Sequence, residues 1–514
     1  MFLRTAGTVL CWLVVGMAIQ ASTPALAVRA AWEDARKLPP QDGPHTRYLS
    51  LLAVPAAERE LFLKVLAFHV NSLSREAVLE VPRLVTPDLL RVDLRWYGWS
   101  AKTWELLLDV PEPYFHVQIT KEVVEDRVWW KGGVDRKGEY FAPGWYGGKK
   151  KKVQTAAHAP WALEDAEATQ ALATAGLGQQ KVDEYLANHT SIGKLAAWSK
   201  SNIPIVRADW FFVQTAISLD RKAGYYDFLG WKSIKDVEDL AGLNKETATR
   251  IRREVAAIVR DSGVAFNNRQ IFRFGAASGG YWETRDVLKS TGDQNAIEKL
   301  DKDFVFAATE VYMVLPNDLF GLAAGDNKGN IQRSVPDGIA GDKQTEINDT
   351  KIHSGLSCIA CHVEGLRKFD DWGRRVFSID GGNRLQSTDY EKYKRLKQLY
   401  LGPLEEKRVA DVAVYAAAVK RVNGLTVEDN ARAYSKTWRQ WFETPVKLEQ
   451  AAAEWGTTPA VVLERFRKYA SPQGAGQLDP VLSELLTDRP TIRREHFEEV
   501  YAKGQIILRG GIVP

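Results

Sequence analysis

The placement of cysteines constrains this chain more than any other feature of its sequence. Among its 514 residues there are three cysteines, Cys11, Cys358 and Cys361. So few cysteines cannot build a disulfide framework, so the folded chain has to be stabilised by a hydrophobic core. With 45% hydrophobic and 26% charged residues, the chain has ample material for one, and its length allows for several domains.

The N-terminus has the pattern of an export signal. Arg4 supplies a positive charge, residues 9–19 form a short apolar stretch, and residues 25–27 (ALA) offer a cleavage position. We expect residues 1–27 to be a signal peptide and the protein to be periplasmic or otherwise exported. A retained membrane anchor is the alternative, but the apolar stretch is shorter than the about 20 residues that a bilayer needs. No later stretch is apolar enough, so no integral membrane segment is expected after signal removal.

The charge balance argues against a nucleic-acid partner. The 69 Lys and Arg residues face 65 Asp and Glu residues, for a formal net charge of +4. A dedicated nucleic-acid binder usually carries a much larger positive excess. We therefore expect no nucleic acid among the partners of this protein.

Cys358, Cys361 and His362 form the pattern C-x-x-C-H, which is typical of covalent c-type haem attachment. Thiols three residues apart on a helical turn can each form a thioether with one vinyl group of the porphyrin. The imidazole of the following residue can then bind the iron as its proximal ligand. The single motif predicts one covalent haem c.

Three other interpretations of the two cysteines fit the sequence less well. A redox dithiol is typical of a thioredoxin-like context, whereas residues 349–357 are polar and contain a glycine. A structural zinc site needs two more ligands at short spacing, and the sequence has no second cysteine pair. A disulfide closing so small a loop would contribute little stability.

The sequence leaves the distal iron ligand open. Met313 is the one methionine outside the signal peptide, since Met1 and Met17 lie within it. Methionine ligation raises the haem potential and suits an electron carrier. However, Met313 lies in an alternating apolar stretch, which also predicts an ordinary core residue on a strand. His353 is near enough to the motif to lie on the proximal side, and an open or water-bound iron is the alternative.

Apolar periodicity predicts an α+β fold in three parts after the signal peptide. These are a mixed N-terminal body (residues 28–300), a hairpin with a loop-rich haem-attachment segment (residues 301–382), and a mostly helical C-terminal region (residues 383–514).

Several local predictions accompany this division. Composition predicts a linker over residues 28–44, an exposed loop at the lysine run 149–152, and a hairpin turn at 326–330. Apolar spacing predicts helices within residues 46–71 and 244–260, and strands within 81–95, 264–281 and 304–322.

Short stretches outside the motif carry a wider likeness. They are RYLS at 47–50, NSLS at 71–74, RVDLR at 91–95, GW at 98–99, RADWF at 207–211, NNR at 267–269, LPN at 315–317 and GLSC at 355–358. With them the chain resembles a family of uncharacterised, large, exported cytochrome c-like proteins. The resemblance implies haem binding and electron transfer and implies no substrate. It also leads us to expect an aromatic residue at the position that Met313 occupies.

We keep three hypotheses about function, and whether the protein is an enzyme stays open. The first is an electron carrier that exchanges single electrons with a redox partner protein. The second is a haem enzyme, such as the haem subunit of an oxidoreductase, or a gas or peroxide sensor with an open distal iron. In the third, the haem has only a structural role and stabilises a scaffold that binds another molecule. Under the second hypothesis, the candidates for lining a pocket are Arg95, Arg207, Asp209 and Arg269. Each of them can also be explained as a member of a buried ion pair.

Overall fold

The computed structural model describes most of the chain, with single or paired positions omitted within some ranges. The described ranges are residues 24–109, 189–218, 223–260, 267–296, 304–334, 352–379 and 389–508, together with the strands between residues 116 and 158. These residues form a mixed α+β fold, which confirms the predicted fold class. Residues 1–23 of the predicted signal peptide, and His353, lie outside the described residues.

The strands follow one another along the chain as β1 (Thr46–Ser50), β2 (Arg83–Thr86), β3 (Leu89–Asp93), β4 (His116–Glu125), β5 (Val128–Trp130), β6 (Gly133–Val134), β7 (Tyr140–Phe141), β8 (Gly144–Tyr146), β9 (Lys149–His158), β10 (Ile205–Arg207), β11 (Glu254–Val259), β12 (Arg269–Gly275), β13 (Gly280–Arg285), β14 (Ala308–Val314), β15 (Phe320–Asp326), β16 (Val446–Lys447) and β17 (Thr491–Ile492).

The α-helices are α1 (Pro24–Ala35), α2 (Arg59–Ser72), α3 (Ala101–Glu105), α4 (Ser191–Ser199), α5 (Ala208–Ala216), α6 (Tyr225–Leu229), α7 (Ile234–Ala241), α8 (Lys245–Arg250), α9 (Leu356–Cys361), α10 (Trp372–Ile379), α11 (Tyr390–Tyr400), α12 (Leu404–Asn423), α13 (Val427–Phe442), α14 (Leu448–Glu454), α15 (Pro459–Ala470), α16 (Pro480–Ser483) and α17 (Arg494–Leu508).

A four-stranded sheet forms the centre of the N-terminal part. Its strand order is β10-β1-β3-β2, and all five residues of β1 are buried. β10 pairs in parallel with β1 and leads directly into α5, which is buried along its whole length. The rings of Trp104 and Phe211 stack beside this sheet with centroids 5.4 Å apart. A segment from beyond residue 200 thus completes a sheet that begins at residue 46.

A second sheet is antiparallel and has five strands, β11 to β15. Each strand pairs with the next along the chain. Tyr281 lies opposite Met313, and Trp282 lies opposite Tyr312. Because consecutive side chains of a strand point to opposite faces, Trp282 and Tyr312 share one face of the sheet, while Tyr281 and Met313 share the other.

The helical C-terminal region packs on the face that carries Trp282 and Tyr312. Asp411 of α12 accepts hydrogen bonds from Arg273 at 3.1 Å and from the indole nitrogen of Trp282 at 2.8 Å. Phe320 of β15 stacks on Tyr415 of α12 with ring centroids 4.2 Å apart. These contacts hold α12 against this face of the sheet.

Four of the local predictions are wrong. Residues 28–35 of the predicted linker belong to α1, where Val28, Ala31 and Ala35 are fully buried, and residues 24–27 of the predicted signal begin the same helix. Residues 46–50 form a strand, although the helix expected after them is present as α2. Residues 254–259 form β11 and not a helix, and the lysine run 149–152 begins β9, which pairs with β4.

Two further observations refine the predicted organisation. The hairpin turn lies at residues 315–319, between β14 and β15, and residues 326–330 form the turn that follows. The sequence predicts a boundary between two parts of the chain at residue 300. β13 lies before this residue and β14 after it, and the two strands pair with each other in one sheet.

Candidate functional site

The two cysteines lie on α9, a short helix that begins at a glycine. Gly355 has a left-handed backbone with a φ of 97°, and a Cβ atom there would lie 2.5 Å from the carbonyl oxygen of Ala216. Only glycine tolerates that combination of backbone and close approach. Leu356 anchors α9 in the core, whereas Cys358 and Cys361 are half-buried and form no disulfide. Their spacing puts both thiols on the same side of one helical turn.

His362 follows α9 in a turn that fixes its imidazole. Its Nδ1 lies 2.9 Å from the carbonyl oxygen of Gly365, which can only accept, so Nδ1 carries the proton. Its Nε2 makes no hydrogen bond to the residues that the structure describes. Burial lowers the pKa of His362 below its usual value, which favours the neutral ring. A neutral imidazole with one nitrogen held by a carbonyl and the other unprotonated is the form that binds a metal ion.

A cavity of about 280 Å³ lies between this segment and the five-stranded sheet. Cys361 and His362 contribute to one side of it, and alternate residues of β12, β13 and β14 contribute to the other. The ring of Tyr312 is the nearest aromatic neighbour of His362, with centroids 4.5 Å apart. Further apolar lining comes from Val259, Ile271, Trp282, Leu366 and Phe369.

A cluster of charged residues adjoins one wall of the cavity, and we call it the cavity cluster: Arg269 and Glu310 line the wall, and Asp286 pairs with Arg269. Arg269 Nε lies 2.7 Å from Asp286 Oδ1, and Arg269 Nη1 donates to Glu310 Oε2 at 3.1 Å. The Thr284 hydroxyl donates to Asp286 Oδ2 at 2.7 Å and accepts from the backbone N–H of Glu310 at 2.9 Å. Arg269 Nη2 is buried and makes no hydrogen bond within the described residues.

The electrostatics of this cluster are unbalanced. Burial raises the pKa of Asp286 to about 6, and Glu310 adds to this rise while Arg269 opposes it. Burial alone would lower the pKa of Arg269, but the two carboxylates outweigh it and the net shift is upward. At the opening of the cavity, Arg367 and Lys368 are exposed to solvent.

Met313, the methionine predicted as a distal ligand, is fully buried on β14. Strand alternation puts its side chain on the face opposite to that of Tyr312, and therefore away from His362. The structure does not bring Met313 and His362 together. Ligation by Met313 stays a prediction from the sequence, and this geometry gives it no support.

Of the four charged pocket candidates, only Arg269 lines the cavity. Arg95 is half-exposed and pairs with Asp42 and Asp93 near the N-terminal sheet. Arg207 and Asp209 belong to a separate buried ion cluster with Glu454 and Arg494, which we call the balanced cluster.

Some residues of the site could not be identified from the sequence. Only the pairing of β13 with β14 shows that Tyr312, Trp282 and Glu310 belong to the site, because no sequence motif connects them to His362. Gly365 has a left-handed φ of 81°, and its position three residues after the motif histidine is the one local signal that could have indicated a turn holding the imidazole.

Cys358, Cys361 and His362 are the residues that could hold a covalently attached haem. Within the described residues there is no group of three or more His, Cys, Asp or Glu side chains arranged to hold a metal ion by themselves. In the same part of the chain, no helix has the length and apolar character needed to cross a bilayer. Comparison of the chain with family models, curated proteins and solved structures found no match.

Proposed function

We propose that this protein is an exported c-type cytochrome that carries one covalent haem and exchanges single electrons with a redox partner protein. The observation that supports this most is the Nδ1 hydrogen bond of His362 to Gly365, 2.9 Å long. This hydrogen bond leaves the lone pair of Nε2 available to bind a metal ion, directly after a helical turn that carries two thiols. A histidine with a purely structural role would be expected to use both of its ring nitrogens, as the buried His69 does with Tyr434 and Thr215.

The residues fit the requirements of a haem c. Two thioethers would form at Cys358 and Cys361, and His362 Nε2 would supply the proximal iron ligand. The cavity beside them has an apolar lining that includes Ile271 and Trp282, which suits a flat hydrophobic macrocycle. When bound, the haem supplies reversible one-electron chemistry, which no side chain of this site provides.

The chain contributes orientation and exclusion of water. The Gly365 carbonyl fixes the tautomer of His362 and raises the basicity of its Nε2, as the hydrogen-bonding partner of a metal-binding histidine does. Trp282, Tyr312 and Ile271 keep water from that side of the cavity, which lowers the local dielectric constant. A low dielectric constant strengthens the effect of nearby charges on the haem potential.

An open distal site is the second candidate function, and one observation favours it. The side chain of Met313 points away from His362, and the cavity contains no methionine among its lining residues. A haem enzyme or a gas or peroxide sensor would use the cavity lined by Arg269, Glu310 and Tyr312 for its small-molecule ligand. The electron carrier remains our first choice because the wider resemblance of the sequence implies electron transfer.

Spectroscopy of the haem-loaded protein distinguishes the two functions. The full chain would be exported in a host with cytochrome c maturation machinery, and visible and EPR spectra recorded in both redox states, with and without carbon monoxide. For a carrier we expect a low-spin iron that is reduced and reoxidised reversibly and does not bind carbon monoxide. A high-spin iron that binds carbon monoxide readily would overturn the carrier in favour of the open site.

A variant tests the remaining ligand prediction. If Met313 binds the iron, Met313→Leu should convert a low-spin spectrum to high-spin. Given the strand alternation, we expect the spectrum of this variant to be unchanged, with His362→Ala as the control that does change it.

A further inference from the structure

We infer that the cavity cluster is a buried proton-binding site, and that it couples the uptake of one proton to the arrival of one electron. The proton acceptor is the carboxylate of Asp286, assisted by Glu310 and Arg269. This inference rests on the proposed function, because the electron is the one that the haem would receive from a one-electron donor. It adds a second activity, proton binding and release, to the electron transfer.

The charge count of the cluster favours a bound proton. The cluster contains one cation and two carboxylates, so it would carry a net charge of −1 if both acids were ionised. Asp286 is 2% exposed and Arg269 is 5% exposed, and an uncompensated buried charge is costly. One proton bound to Asp286 makes the cluster neutral. No other cation within the described residues pairs with either carboxylate.

The groups that face the cluster leave its charge balance unchanged. Tyr312 is neutral, since burial raises its pKa well above the usual value. His362 is held in its neutral form by burial. Arg367 and Lys368 lie at the exposed opening of the cavity, where solvent screens their charges. The local balance is therefore set by Arg269, Asp286 and Glu310 themselves.

The proton can exchange near neutral pH. Burial raises the pKa of Asp286 to about 6, so both of its protonation states are accessible under ordinary conditions. Glu310 lines the cavity and its side chain is 13% exposed. A proton can therefore reach the cluster from the cavity, which is also lined by Thr284, whose hydroxyl donates to Asp286 Oδ2.

The coupling follows from charge. One electron added on the cavity side makes the surroundings of the cluster more negative by one charge, which raises the proton affinity of Asp286. A proton from solvent then binds the carboxylate oxygen of Asp286, and the added charge is compensated. Reoxidation reverses both steps, so electrons and protons balance over the cycle. The low-dielectric lining of the cavity increases the interaction between the two sites.

The test is the midpoint potential of the holoprotein as a function of pH. We expect the potential to fall as the pH rises between 5 and 8, by up to about 59 mV per pH unit. One proton per electron makes each pH unit a tenfold change in the equilibrium, and for a one-electron couple that is about 59 mV. In Asp286→Asn the slope should largely disappear. A redox difference infrared spectrum should also show a protonated carboxyl band on reduction, and the variant should lack this band.

A matched control lies three residues before Asp286 in the sequence. Glu283 of β13 is equally buried but points to the opposite face, where it pairs with Lys245. Glu283→Gln should keep the pH slope of the natural protein. If Asp286→Asn does not fold, Thr284→Val provides a milder change, because loss of the hydroxyl donor raises the proton affinity of Asp286. The sloping region should then move to higher pH.

The outcomes separate the two proposals. A protein that never acquires covalent haem contradicts the proposed function. A haem-loaded protein whose potential does not change between pH 5 and 8 overturns the proton site alone. A slope that is unchanged in both Asp286→Asn and Thr284→Val also overturns it, because the titrating group would then be elsewhere.

Discussion

The two buried ion clusters of this protein are built from the same residue types but differ in charge balance and surroundings. The balanced cluster has two arginines and two acids: Glu454 accepts from Arg207 at 3.0 Å and from Arg494 at 2.7 Å, and Arg207 also pairs with Asp209. The cavity beside it is about 10 Å³, too small to hold a ligand. The cavity cluster has one cation for two acids and borders a space of about 280 Å³.

This difference separates a structural cluster from a functional one. Burial would raise the pKa of Glu454, but Arg207 and Arg494 outweigh it and the pKa is lowered, so the carboxylate stays ionised. Burial also raises the pKa of Asp286, but there the single arginine does not offset the rise, and the neighbouring Glu310 adds to it. The balanced cluster joins α5, α14 and α17, and so connects the N-terminal part to the helical region. The cavity cluster lies within one sheet, whose strands β12, β13 and β14 are already joined by backbone pairing.

The largest effect is expected from breaking the balanced cluster. Glu454→Gln leaves two buried guanidinium groups with one carboxylate, and loss of one partner of a buried ion pair costs about 3–5 kcal/mol. Chemical denaturation should show that loss in the free energy of unfolding. Glu449→Gln, an exposed position on the same helix, should change it by about 0.5 kcal/mol or less. Equal effects of the two variants would contradict a structural role for the cluster.

The next largest effect is a pH dependence of opposite sign in the two clusters. The folded-state pKa of Asp286 is raised from 3.8 to about 6, so its contribution to stability is present below about pH 4 and is lost as the pH rises through 6. The loss is on the order of 3 kcal/mol for a shift of this size. Asp286→Asn should therefore gain stability relative to the natural protein between pH 4 and 7.

The balanced cluster should behave in the reverse way. The pKa of Glu454 is lowered from 4.5, so its contribution is fully present above pH 4.5 and is lost only as the pH falls below that value. Denaturation at several pH values measures both differences. A stability difference for Asp286→Asn that stays constant from pH 4 to 7 would show that Asp286 is ionised throughout.

The smallest effect is expected at Arg95, whose ion pairs are exposed. Its side chain is 49% exposed and lies 2.9 Å from Asp42. Solvent-screened pairs contribute about 0–1 kcal/mol, so Arg95→Ala should lower the free energy of unfolding by no more than that, and 0.5 M salt should reduce the difference further. A loss as large as that of Glu454→Gln would mean that burial is not what distinguishes the clusters.

Helices that carry their own start signal could be predicted from the sequence. Residues 427–442, within the region predicted to be mostly helical, form α13, and Thr426 caps the helix by accepting from the Asp429 amide. The helix predicted over 244–260 ends at Arg250, because residues 254–259 pair along six positions with β12. Asn244 does cap a helix there, so the local signal was correct and a distant strand set its end.

The candidate site also contains residues that the sequence identifies and residues that only the fold identifies. Cys358, Cys361 and His362 could be identified because their chemistry depends on spacing along the chain. Arg269 and Glu310 lie 41 residues apart in sequence and come within 3.1 Å of each other only through the order of strands β12, β13 and β14. A sequence pattern contains no information about such a pairing. For the same reason, the face on which Met313 lies had to be read from the register of β14.

The most direct test of the central claim is the intact mass of the exported full-length protein, produced in a host with cytochrome c maturation machinery. We predict a mass increased by one haem that survives denaturation, and a tryptic peptide that carries the adduct on Cys358 and Cys361. The double variant Cys358→Ala/Cys361→Ala should lack the added mass. An unmodified mass, from a host in which a known cytochrome c is matured in parallel, would contradict the account.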